Sequence, residues 1–301
     1  MANSEQGNEF NALVTERDEY QSSSLTQQVK ELIRDKRRVL KDKMQQPLLT
    51  KQCPPEIVAL FMMSENVSHF SDDISCEVAS YLQNNYKAKA SDIKWEADKT
   101  FAVEQYLWTL YVEKATKDGC SPNNYEKKLS ECFYALKSYK NPCLCMALWL
   151  ASDFAPEDWL RSVQGIVEEA QENRIATWVQ RDRMFFLLAC VRNSNCSIEM
   201  AREIETQIQE LQLYSVAATA AERIADDVCL VSPAIGLLVL IYCARRQGLK
   251  DSVVDAVRQV VRWIVGHMEK AKGKDFAWAY YALNEYVAFE SETKMDTAGE
   301  R

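Results

Sequence analysis

Glycine and proline are both scarce in this chain, with 8 and 7 residues among 301. Average proteins contain roughly 7% glycine and 5% proline, so collagen-like, low-complexity and turn-rich β architectures are disfavoured. Hydrophobic residues make up 47% of the sequence and charged residues 27%, which is enough apolar material for one large or two ordinary globular units. We therefore expect a folded protein with a buried core that needs no disulfide bonds.

The residue patterns of common catalytic and metal sites are also lacking. Only two histidines occur, His69 and His267, and in a helix the close cysteine pair Cys143 and Cys145 would point to different faces. The glycines lie too far apart for a dinucleotide-binding or phosphate-binding loop, and no serine nucleophile elbow is present. We therefore expect no metal, no cofactor and no enzymatic activity.

Targeting signals and long uninterrupted apolar runs are missing as well. Residues 1–24 contain no apolar signal-peptide core, which predicts reduced thiols for the ten cysteines and a cytoplasmic or nuclear location. The longest apolar stretch, 228–244, is interrupted by Ser232, Pro233 and Gly236, which favours a buried helix over a membrane span. The net charge of -8 argues against a uniformly basic surface but permits a local basic face.

Almost every segment between residues 24 and 290 has the apolar spacing of a helix, and none has convincing strand alternation. Prolines such as Pro55 and Pro233 stand at first-turn positions, where the missing N–H costs nothing. The pattern therefore predicts an all-α protein. The predicted helices cover residues 25–45, 55–66, 72–87, 92–117, 122–139, 142–151, 156–171, 174–192, 198–213, 215–229, 233–247, 252–271 and 276–290.

The spacing of the helix starts suggests an arrangement. From residue 156 onward a helical hairpin occupies about 40 residues, as in TPR, HEAT and armadillo units, so in spacing the chain resembles helical-repeat proteins. This predicts helical hairpins stacked as an irregular α-solenoid; because no repeated residue signature accompanies the spacing, a two-lobed helical bundle is the alternative. The predicted division is a disordered tail (1–23), a basic amphipathic helix and linker (24–52), an N-terminal helical lobe (53–150), a C-terminal hairpin lobe (151–290) and a second disordered tail (291–301).

Two segments concentrate positive charge. Residues 30–43 carry a net charge of +4, and their candidate phosphate-binding or nuclear-import patch is Lys36, Arg37, Arg38, Lys41 and Lys43. A solvated outer face of an N-terminal helix is the plainer interpretation of this segment.

The second basic segment, 245–274, carries a net charge of +5. Arg258 and Arg262 are four residues apart, so we expect both to point outward from one helix face. Arg245 and Arg246 of the preceding helix would flank that face and complete a groove for phosphates or an acidic peptide. If an aromatic cluster is exposed beside Arg262, its anchors would be Trp278 and Tyr281.

The sequence thus favours a non-catalytic helical scaffold or adaptor that binds a protein partner within a larger assembly, with Arg245, Arg246, Arg258, Arg262, Trp278 and Tyr281 as partner-binding candidates. The alternative function is RNA binding, as in a viral nucleoprotein whose two helical lobes clamp a strand. In that alternative both basic segments would contact phosphates, and binding would depend strongly on salt.

Overall fold

The computed structural model describes residues 24–39, 54–68, 100–115, 127–128, 131–136, 143–151, 185, 188, 230–247 and 251–299. These residues are almost entirely helical, and no strand occurs among them. The all-α class predicted from the sequence is therefore confirmed for this part of the chain.

The described helices lie within or close to the predicted segments, except that the last helix extends well beyond its predicted end. They are α1 (24–39), α2 (Pro55–Ser68), α3 (Thr100–Ala115), α4 (Leu144–Ala151), α5 (Val231–Gln247), α6 (Asp251–His267), a 3-10 turn (Met268–Lys270) and α7 (Gly273–Gly299), with a further helical segment at 131–136. The helices predicted at 72–87, 156–171, 198–213 and 215–229 lie outside the described residues.

Helix α7 is longer than the sequence pattern predicts. We expected residues after 290 to form a disordered tail, but the helix continues to Gly299. The hydroxyls of Ser291 and Thr293 donate hydrogen bonds to backbone carbonyl oxygens one turn earlier, those of Val287 and Phe289. These polar side chains therefore find hydrogen-bond acceptors within the helix itself. Polarity alone was therefore a poor guide to where this helix ends.

Helix α7 is the centre about which the other helices pack. Its main neighbours are α2 and α5, α2 also contacts α3, and α5 contacts α6. Helix α1 lies antiparallel to α7, because Thr26 hydrogen-bonds to Tyr286 while Lys36, ten residues later, reaches Glu269 before α7 begins. In a solenoid each repeat contacts only its neighbours, whereas α2 and α7 are far apart in sequence. This packing favours the bundle alternative for the described helices.

Aromatic rings form the core where α3, α4 and α7 meet. Trp108, Trp149 and Trp278 pack against one another with ring centroids 5.6 to 6.0 Å apart, and Phe185 contacts two of them. Edge-to-face and offset pairs of this kind add about 0.5–1.5 kcal/mol each beyond area burial. The cluster joins N-terminal and C-terminal helices into one core. No described helix has the length and apolarity that crossing a bilayer requires.

Candidate functional site

Arg245, predicted to line a partner groove, instead braces α5 against α7. Its guanidinium donates to Glu285 at 2.9 Å and forms a two-bond fork with Glu292 at 2.8 and 3.0 Å. Although burial lowers its pKa, hydrogen bonds and charge from Glu292 and Glu285 raise the pKa of Arg245 above its ordinary value. A guanidinium whose donors are already occupied by two carboxylates is poorly suited to bind a partner. The side chain of Arg246 lies outside the described ones.

Arg258 and Arg262 do not point outward together. Arg262 is exposed, whereas Arg258 is partly buried and lies 3.7 Å from the buried carboxylate of Glu290 on α7. Four residues turn an α-helix by about 400°, so position 258 is rotated by about 40° toward α7. The expectation of a paired outward face is therefore wrong, and Arg262 is the one of the two that solvent can reach freely.

Trp278 and Tyr281 are core residues rather than exposed anchors. Each is 1% exposed; Trp278 donates its indole N–H to Glu56 at 2.8 Å, and the Tyr281 hydroxyl donates to Glu285 at 3.2 Å. The run from Phe276 to Leu283 is apolar on every side of the helix, and a helix that is apolar all round is buried. That signal in the sequence would have predicted the burial.

The turn into α7 places three lysines on the surface. Gly273 has φ +54°, a left-handed conformation that glycine adopts without strain, and it lets α7 begin directly after the 3-10 turn. The carboxylate of Asp275 accepts the backbone N–H groups of Leu230 and Val231 at 2.7 and 3.2 Å, so it caps α5 rather than its own helix. Lys270, Lys272 and Lys274 are exposed around this fixed turn.

The two basic segments meet at a single ion pair. The ammonium of Lys36 on α1 lies 2.7 Å from a carboxylate oxygen of Glu269, which is 233 residues later in the sequence. Glu269 directly precedes Lys270, so the part of α1 that carries Lys36 lies beside the turn into α7. We define residues 30–38 together with 269–275 as the basic surface.

The predicted patch on α1 is only partly described. Lys36 and Arg37 are partly buried and Arg38 is exposed, and Lys30 and Arg34 are exposed on the same helix. Lys41 and Lys43 lie outside the described residues. The exposed basic side chains of α1 therefore extend toward the start of the helix, beyond the residues predicted for the patch.

Comparison of the chain with protein-family models, with curated proteins and with solved structures gives no match. Within the described ranges, no group of three or more histidine, cysteine, aspartate or glutamate side chains could hold a metal ion. Function must therefore be argued from the side chains themselves.

Proposed function

We propose that the chain is a non-catalytic helical scaffold or adaptor that binds a protein partner within a larger assembly. The observation that carries this proposal is that the buried carboxylates have structural partners. Glu285 accepts hydrogen bonds from Tyr242, Tyr281 and Arg245. The side chain of Glu285 is 6% exposed. A general acid or base must reach the proton that it transfers, whereas Glu285 is enclosed by fixed donors from α5 and α7.

A second buried carboxylate supports the same interpretation. Both oxygens of Glu113 on α3 accept hydrogen bonds from the ammonium of Lys128 at 2.9 Å. The carboxylates of Glu113 and Glu285 thus hold segments together in the manner of a rigid frame. In the finer form of the proposal, this frame is the two-lobed helical bundle that the packing of α2 against α7 favours.

Arg262 is the candidate for partner contact that the fold leaves accessible. It is exposed on α6, and a planar guanidinium suits a carboxylate of an acidic peptide through two parallel hydrogen bonds. Arg258, one turn earlier, provides a matched contrast because it pairs with Glu290 inside the protein. Substitution of Arg262 should therefore weaken partner binding, whereas substitution of Arg258 should lower stability.

Affinity purification of the full chain from expressing cells, with and without nuclease, tests the proposal. We expect protein partners that survive nuclease, reduced recovery with Arg262→Glu at an unchanged melting temperature, and a lowered melting temperature with Arg258→Glu. Arg258→Glu places a second negative charge beside buried Glu290, which accounts for its structural effect. Loss of every partner upon nuclease treatment would overturn the proposal in favour of RNA-mediated association.

A further inference from the structure

We propose that the basic surface binds the phosphate backbone of single-stranded nucleic acid, a function beyond that of a protein scaffold. The 2.7 Å pair between Lys36 and Glu269 joins cationic segments that the sequence separates by more than two hundred residues. Sequence-independent binding to nucleic acid rests on such clustered lysines and arginines.

The exposed cations of α1 form a line. Lys30, Arg34 and Arg38 are each exposed and follow at four-residue steps, which places them about 6 Å apart along the helix. Because α1 runs antiparallel to α7, the Arg38 end of this row is level with the turn that carries Lys270 and Lys272, and the row lies on the outer side of α1, away from Lys36. A row of cations of this kind can follow the phosphate backbone of a strand.

The surface is positive on a protein that is negative as a whole. Residues 30–38 and 269–275 contain eight basic and four acidic side chains, while the whole chain has a net charge of -8. Three of the four acids have contacts within the protein: Glu269 with Lys36, Asp275 with the start of α5, and Glu31 with Gln27. Positive charge is therefore concentrated on this surface although the net charge of the chain is negative, which favours a local site for a polyanion.

The composition of this surface favours phosphates over a protein partner. Protein interfaces depend on a few large anchors, mostly tryptophan, tyrosine and arginine, in desolvated pockets. Here Val39, at the end of α1 and 42% exposed, is the nearest exposed large hydrophobic residue among the described ones. The surface exposes four lysines and two arginines, and neither of its two segments contains an aromatic residue. Cations without an aromatic pocket are typical of contacts to a nucleic-acid backbone, which position a strand without reading its sequence.

The test measures binding of the full chain to a labelled 12-nucleotide oligouridylate by fluorescence anisotropy over a range of salt concentrations. In the variant Lys270→Ala/Lys272→Ala/Lys274→Ala, we expect affinity to fall by about tenfold or more. The slope of log K against log salt should shrink by about 2, since each single-strand phosphate contact contributes about 0.7. Lys127→Ala is the control, because that lysine is 75% exposed but belongs to neither basic segment.

A second variant tests whether added positive charge on this surface increases the affinity for the oligonucleotide. Glu31 is exposed beside Lys30 and accepts a hydrogen bond from the side-chain amide of Gln27 on the same helix, so Glu31→Lys should keep the fold and tighten binding. Failure of the parent chain to bind the oligouridylate at low salt, or an unchanged salt slope in the triple variant, would overturn the proposal. Equal binding of polyglutamate, with the same salt slope, would also overturn it and identify an acidic-peptide site. Either failure leaves the nuclease-resistant scaffold association intact, so the two proposals fail separately.

Discussion

Glu285 and Glu292 bind the same guanidinium from different environments, and this predicts unequal stability effects. Both accept hydrogen bonds from Arg245, but the side chain of Glu285 is 6% exposed and that of Glu292 is 51% exposed. Exposed ion pairs contribute about 0–1 kcal/mol, because solvent screens them and long side chains lose freedom. Removing one partner of a buried pair costs about 3–5 kcal/mol when the other charge is left uncompensated.

Removing the charge of Glu285 should cost less than about 3–5 kcal/mol, because Arg245 keeps Glu292 as a partner. Glu285→Gln keeps an oxygen that accepts from the hydroxyls of Tyr242 and Tyr281, but it loses the negative charge and the oxygen that accepts from Arg245. We therefore expect the free energy of unfolding to fall by about 2 kcal/mol in Glu285→Gln and by less than about 1 kcal/mol in Glu292→Gln.

Urea denaturation followed by circular dichroism measures both free energies of unfolding, provided that the slope with denaturant stays constant. A double-mutant cycle with Arg245→Met would then give the pairwise coupling, which we expect to exceed about 1 kcal/mol for Glu285 and to be smaller for Glu292. Equal costs for the two glutamates, or a larger cost for Glu292, would refute the reasoning that burial sets the strength of this brace.

Three further predictions follow from the fold. Asp275→Ala should lower the free energy of unfolding by about 1–2 kcal/mol, because the first N–H groups of α5 lose their cap, and the urea midpoint measures this. Gly273→Ala should cost about 1 kcal/mol from backbone strain alone, since no atom lies within 4 Å of an added Cβ; a stabilised variant would contradict this. Burial raises the pKa values of Cys132, Tyr106 and Tyr286, so the folded state keeps protons that the unfolded state releases. The contribution of Cys132 is complete below about pH 8 and those of the two tyrosines below about pH 9, and each should fall by up to about 1.4 kcal/mol per pH unit as pH rises further. Melting temperatures between pH 8 and 11 test this, and Cys132→Ala should reduce the decline.

The sequence was sufficient to predict the fold class and several helix boundaries. Apolar spacing and first-turn prolines are local signals, and α2 begins at Pro55 as its proline predicts. The extension of α7 to Gly299 was missed because polar side chains there satisfy themselves on the helix, which gives no apolar periodicity. Local propensity therefore predicts that a helix forms more reliably than where it ends.

The roles of the charged residues were decided by tertiary structure. From the sequence, Arg245, Arg258 and Arg262 are equivalent surface cations, yet the structure pairs the first two with Glu285 and Glu290 on α7. Ion pairs between residues more than thirty positions apart leave no local pattern, because their partners meet only after the helices pack. The same applies to Lys36 and Glu269, whose contact places two separate basic segments next to each other. Composition and periodicity thus determined which segments are helical and where charge accumulates, while packing against α7 determined which charges hold the fold and which face solvent.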